Sequence, residues 1–327
     1  MTSAARLTEL REDILYTAEQ FVREKFRHHD PSHDWHHVHR VRQLALSIGT
    51  TDPGLPRSPV PLILELGALF HDLCDSKYLP SGTSAQSSSA KAVLQPFFDS
   101  LGNDDSDRKI IEAQLLGADA RADIERIVDN VSWSKDARRR KERADAAERG
   151  DDPREINGGR EGEQIDWEES CVEFWCVSDA DRLDAIGSIG VLRCAAFSAI
   201  KNRPLHIPPA NMQGDSRPPA EQGEGYNGSC IAHFHEKLML IRGDRLRTAT
   251  ARAEAERRQG FMQSFLDELD LEWLVGSQGE QMFRMQQDLA DVDSATREMD
   301  LQHKALDTQH EEPASSTTTD AAEETTS

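Results

Sequence analysis

Apolar residues recur at three- and four-residue spacing along most of residues 1–274, which is the signature of amphipathic helices. Leu7, Leu10, Ile14, Ala18, Phe21 and Val22 form the stripe of a first helix. Asp34 stands where an N-cap would open a second, on which Val38, Val41, Leu44, Ala45 and Ile48 share one face. His37 precedes Val41 by four residues and Leu44 by seven, so it points inward with them. DPGLPRSPVP (Asp52 to Pro61) breaks the pattern, and a third helix then carries Ile63, Leu66, Gly67 and Phe70 into His71. Further helices are predicted at Ala90 to Leu101, Asp107 to Leu116 and Ile124 to Trp133, a strong one over Glu169 to Lys201, and helical periodicity again from Ile231 to Leu274. No segment alternates with a two-residue period or shows the turn spacing of a sheet, so the expected fold class is all-α.

These stripes predict one helical domain over residues 1–274, with flexible insertions at 135–168 and 202–228. The first insertion is charged and lacks a sustained apolar stripe; the second is rich in Pro and Gly. Residues 275–327 are polar and acidic and are expected to be a disordered tail. The chain carries 59 acidic against 38 basic residues, a formal charge of −21, of which the stretch from Glu280 onward contributes 12 acidic against 3 basic. Such a balance argues against binding a nucleic-acid backbone or an anionic membrane surface, since either wants a basic face. The short cluster Arg138 to Lys141 is flanked by acids and reads as a solvated face. Five scattered cysteines show no paired spacing for zinc and read as reduced, mostly buried thiols. With no apolar run of signal-peptide or membrane-spanning length, a cytoplasmic location is expected, and a nuclear one is compatible.

The chemistry lies in polar residues on apolar faces. His71 and Asp72 stand side by side inside LILELGALFHDLCD, where burial without partners would be costly. HDWHHVHRV (His33 to Val41) lies upstream and VSDADRLDAIGSIG (Val177 to Gly190) downstream, so a His, a His-Asp pair and an Asp come from three separate helical segments. His37, His71, Asp72 and Asp181 together would give two nitrogens and two carboxylates, a donor set suited to borderline divalent metals. The expected cofactor is one divalent ion, Mn²⁺ first, with Mg²⁺, Fe²⁺, Co²⁺, Ni²⁺ or Zn²⁺ also admissible. His36 and His39 occupy other faces of the helix from His37, and packing and capping account for His233 and His235. Gly187 and Gly190 interrupt a helical pattern rather than follow a strand, so they serve close packing and not a phosphate loop. Asp75, three residues after Asp72, is a candidate to move a proton at the water, and Lys77, Arg40 and Arg182 are candidates to neutralise phosphate. Arg40 is equally suited to pair with Asp179 or Asp184.

The H, then HD, then D order resembles the HD-domain metal-dependent phosphohydrolases, and most closely the small HD-domain nucleotide pyrophosphohydrolases. The resemblance rests on SHDWHHVHRV, LFHDLCDSKY, VSDADRLDAIGSIG, HFHEKLMLIRG and RRQGFMQSFLDELDLEW, spread over about residues 10 to 274. It implies an HD-domain helical bundle with a metal site in its core, His37 rather than its neighbouring histidines as the first ligand, and Asp181 as the last. It leaves Asp179 and Asp184 to support the ligands or face substrate, with Asp184 the catalytic candidate held in reserve behind Asp75. Dinuclear members carry extra histidines between the HD pair and the final Asp; Leu73 to Ala180 contains none, which points to a single metal. The activity implied is hydrolysis of nucleoside or deoxynucleoside triphosphates to monophosphate and pyrophosphate. A 5′-nucleotidase, another phosphomonoesterase or phosphodiesterase, and a nucleotide-binding module without turnover are the rivals. The expected partner is a small-molecule nucleotide, without membrane or nucleic acid, and a homodimer is compatible.

Overall fold

The computed structural model describes residues 3–74, 89–207 and 226–310, and no strand occurs among them. The helices are α1 (Ser3–Lys25), α2 (Trp35–Thr51), α3 (Pro61–Phe70), α4 (Ala90–Asp99), α5 (Asp105–Ile110) continued by a π-turn (Ile111–Leu115), α6 (Ala118–Asn130), α7 (Trp133–Glu148), α8 (Arg160–Ser170), α9 (Val172–Asp184), α10 (Gly187–Ile200), α11 (Cys230–Glu236) and α12 (Ala249–His310). The chain divides into two compact units, Met1–Phe265 and Leu266–Ser327. No single described helix is long and apolar enough to cross a membrane.

In the first unit α3 is the axis. Pro61 occupies its first turn, where the missing N–H costs nothing, and every residue from Leu62 to Phe70 is buried. Helices α2, α6, α9 and α1 pack around it. Leu10, Ile14, Ala18 and Val22 of α1 are 0–2% exposed, as their spacing predicts. Phe21, Phe70 and Phe97 meet with ring centroids 4.9–6.2 Å apart and join α1, α3 and α4. Full burial of a side chain of this size contributes about 1.5–3 kcal/mol. The entrance to α3 is tied down by Glu173 of α9, whose carboxylate accepts from both terminal nitrogens of Arg57 at 2.7 Å and from the Val60 amide at 2.6 Å.

Three expectations differ from the fold. The helix predicted over Glu169 to Lys201 is two helices, α9 and α10, meeting at 70°. Gly187 has φ +76° at the break, a conformation that strains any other residue, and a Cβ at Gly190 would collide with the Ala185 carbonyl. The first glycine therefore turns the chain and only the second serves close packing. Residues 135–168 hold most of α7 and of α8, because their charges pair internally. Glu168, 2% exposed, takes Arg139, Arg143 and Arg247, and Glu161 takes Arg143. The cluster Arg138 to Lys141 belongs to this lattice: Arg140 pairs with Asp136 and Asp244, and Arg138 with Glu142. Finally, α12 runs past Gly276 to His310, in a stretch without proline and rich in good helix formers, with Glu280 and Arg284 paired one turn apart.

Candidate metal centre

Asp34 does two things at once. Its side chain caps α2 by accepting from the His37 amide at 3.0 Å, and it thereby fixes the turn from which His37 projects. His37 is fully buried and His71, the residue that ends α3, is 2% exposed. The His37 Nδ1 donates to Asp184 Oδ2 at 2.7 Å and the His71 Nδ1 donates to the Ala68 carbonyl at 2.8 Å. With both Nδ1 atoms committed, each ring turns its Nε2 inward. These two nitrogens lie 3.2 Å apart.

Two carboxylates complete the cluster. Asp72 Oδ2 lies 3.3 Å from His37 Nε2 and 3.7 Å from His71 Nε2; Asp181 Oδ1 lies 3.7 and 3.8 Å from the same atoms. Donors bound to one cation at about 2.1 Å sit about 3 to 4 Å from one another, the range seen among His37, His71 and Asp72 and from Asp181 to the two imidazoles. Asp72 Oδ2 is also buried without a hydrogen-bond partner, a costly state that a cation would relieve. Burial works against charge on Asp72, yet the imidazoles of His71 and His37 hold its carboxyl well below the usual range. Burial and Arg193 likewise lower the His37 pKa, but Asp184 and Asp72 outweigh them and raise it. The spacing of the donors and the unpartnered Asp72 oxygen fit a divalent ion.

Of the four ligands expected from the sequence, His37, His71 and Asp72 have ligand atoms within 4.8 Å of one another, and Asp181, far from His37 in the chain, approaches the two imidazoles. The other candidates are placed differently. Asp184, 2% exposed, is on the side of the His37 ring away from the cluster, where it also accepts from Arg40 Nε at 2.7 Å, Arg40 Nη2 at 3.0 Å and Arg193 Nη1 at 3.1 Å. It orients a ligand rather than facing the cavity, and burial is outweighed by His37 and Arg40, which depress its pKa strongly. Arg40 is the structural partner of Asp184 and lines a separate surface cavity. Arg182, 3% exposed, is engaged by Asp136 at 3.0 Å and by Ser178, and it lines the cavity described below. Asp179 accepts from the Arg247 and Thr248 amides and the Thr248 hydroxyl, and holds the segment that enters α12. Asp75 and Lys77 lie outside the described residues.

A cavity of 350 Å³ opens on His71, Asp72 and Asp181. Its wall carries Lys135 and Arg138 from α7, Arg182 from α9, Arg193 from α10 and Lys237 at the end of α11. Of these cations Arg182 was a candidate from the sequence, Arg138 lay in the basic cluster read as a solvated face and Lys237 in the HFHEK stretch, whereas Lys135 and Arg193 carried no signal, because isolated Lys and Arg on helices are ordinary surface residues. Their convergence on a cavity that also holds the acidic donors makes a site suited to an anion bridged to a cation.

No family model matches the chain. The uncharacterised Bacillus subtilis protein YpgQ is 30% identical over 238 residues, which cover 73% of this chain and 83% of that protein. In structural comparison, a Lactobacillus plantarum protein aligns with a TM-score of 0.50 and 24% identity, over 81% of this chain and 98% of its own. YpgQ crystallised in complex with ADP aligns at 0.48 and 22%, over 80% and 96%. An HD-superfamily hydrolase from Bacillus thuringiensis aligns at 0.47 and 22%, over 80% and 98%. By this sequence relationship the chain belongs to the same family as YpgQ, and its His, His-Asp and Asp donors on an all-α fold keep the pattern by which it resembles the HD-domain proteins.

Proposed function

We propose that this chain is a divalent-metal-dependent phosphohydrolase acting on nucleotides, and that it cleaves nucleoside and deoxynucleoside triphosphates to monophosphate and pyrophosphate. The observation that carries the reading is the cavity that joins the His71, Asp72 and Asp181 donors, with His37 behind them, to Lys135, Arg138, Arg182, Arg193 and Lys237. The ADP bound to YpgQ, a relative by sequence, supports a nucleotide as the anion.

The four donors would hold the ion, Mn²⁺ being the first choice. When bound, it supplies Lewis-acid polarisation of a phosphoryl oxygen and lowers the pKa of water. The residues of the chain do the rest. Asp184, braced by Arg40 and Arg193, keeps His37 in one tautomer and one orientation. The cations of α7, α10 and α11 bind the phosphates and set them in line, which is most of what phosphoryl transfer requires of a protein. Asp75 is proposed to accept the proton of the attacking water and Lys77 to bind phosphate.

Incubating the purified protein with a panel of nucleotides and Mn²⁺, then separating the products, tests the reading. Pyrophosphate from triphosphates is the expected product. Orthophosphate from monophosphates would make the protein a 5′-nucleotidase, and nucleotide binding without any turnover would make it a regulatory module.

A further inference from the structure

The second compact unit, Leu266–Ser327, is built, among its described residues, from the part of α12 that begins at Leu266. Its apolar positions keep a strict rhythm. Leu271, Val275, Gln278, Met282, Met285, Leu289, Val292, Thr296 and Met299 follow one another at spacings of four and three in turn, seven apolar side chains and two polar ones. A repeat of 3.5 residues kept from Leu271 to Met299 lays all nine along one seam, the a and d positions of a left-handed coiled coil. The seven apolar members are 55–72% exposed. Their unit has no other described element to cover them. A helix with Gly276 and Gly279 near its start is held in water by packing of an apolar face more than by propensity.

The seam is complementary to itself. Two copies paired parallel and in register set Gln278 against Gln278 and Thr296 against Thr296. Paired antiparallel about Gln287, they set Gln278 against Thr296, Val275 against Met299, Met282 against Val292 and Met285 against Leu289. Either way polar layers meet polar layers and apolar meet apolar, a match that a second copy supplies without further design. The area suffices as well. With about 100 Å² to bury on each apolar side chain, the pair removes about 1,400 Å² from water, within the roughly 1,200–2,000 Å² of a specific, stable interface. The e and g positions that flank the seam carry Glu272, Asp288, Asp293 and Asp300 and no base, so the apolar layers hold the pair while its flanks repel.

We propose that α12 pairs with α12 of a second copy along this seam, so that the protein is a homodimer joined by a two-stranded coiled coil between Leu271 and Met299. The pairing uses no residue of the metal centre and stands independently of the proposed activity.

Sedimentation equilibrium of the full chain tests it. The wild type should sediment at twice the 36.6 kDa of one chain. Leu289→Glu, which sets two carboxylates in a central apolar layer, should raise the dimer Kd by roughly a hundredfold or more and leave a monomer at micromolar concentration. Phe283→Glu is the control, since Phe283 is 60% exposed against 65% for Leu289 but stands off the seam; this variant should stay dimeric. Both side chains lie outside the first unit, so neither change reaches its core. Raising salt from about 0.05 to about 0.5 M should tighten the wild-type pair by screening its acidic flanks, the opposite of a contact made by ion pairs. A monomeric wild type would overturn the proposal and leave the seam to a different protein or to its own chain. A dimer that survives Leu289→Glu, one that Phe283→Glu dissolves as readily, one that salt weakens, or an assembly larger than two would also overturn it.

Discussion

Asp184→Asn separates orientation of a ligand from ligation itself. The substitution keeps the size of the side chain and one acceptor oxygen, but removes the negative charge that faces His37, Arg40 and Arg193 at 2.7–3.1 Å. The His37 Nδ1–H then has a weaker acceptor, its ring loses basicity, and Nε2 binds a cation less well. Replacing such a supporting carboxylate costs about 10- to 100-fold in metal affinity, which is about 1.4–2.7 kcal/mol. Stability falls too. Removing one partner of a buried ion pair costs about 3–5 kcal/mol. Arg40 is 31% exposed and partly rescued by water, and asparagine still accepts one bond, so about 2–3 kcal/mol is expected here. Mn²⁺ calorimetry and urea denaturation on the same preparations read both quantities. A variant with lowered stability but unchanged Mn²⁺ affinity would refute the reasoning and reduce Asp184 to a tie between α2, α9 and α10.

Asp75→Asn should lower kcat by roughly a hundredfold while Mn²⁺ content stays at the wild-type level, and an unchanged kcat at saturating metal would remove Asp75 from the reaction. The buried apolar side chains among the described residues end at Leu266, so a chain stopped after Gly276 should keep its Tm and kcat/KM; failure to fold would contradict this. Burial raises the Glu173 pKa, but Arg57 and the Val60 amide outweigh it and lower it overall. A depressed carboxyl stabilises the fold above its unfolded pKa of about 4.3 and ceases to do so as pH falls through the folded value. Glu173→Gln should therefore cost about 1–3 kcal/mol at pH 7 and progressively less below about pH 4, and a difference independent of pH would count against the role given to its charge.

Features set by local pattern were legible in the sequence. Asp34 as a cap, the Pro-rich break before α3, the inward face of His37 and the pairing of His71 with Asp72 all follow from spacing within one or two turns. Convergence of Asp181 on them came from the family resemblance, since nothing local relates α9 to α2. The sequence misled where charge is buried by partners distant along the chain. Glu168 gathers Arg139, Arg143 and Arg247, so a segment without an apolar stripe still packs. Arg40 looked available for phosphate only because Asp184 could not be seen opposite it. The bend at Gly187 was hidden because apolar residues continue on both sides of it, and the positive φ leaves no periodic trace.

The central claim is that His37, His71, Asp72 and Asp181 hold one divalent ion on which turnover depends. It is tested most directly by titrating Mn²⁺ into metal-stripped wild type and Asp72→Ala, following bound metal and deoxynucleoside triphosphate hydrolysis in the same samples. One equivalent should bind to the wild type and saturate together with activity, while a folded Asp72→Ala should lose both. An Asp72→Ala protein that binds and hydrolyses as the wild type does, or a wild type with no saturable site, would contradict it.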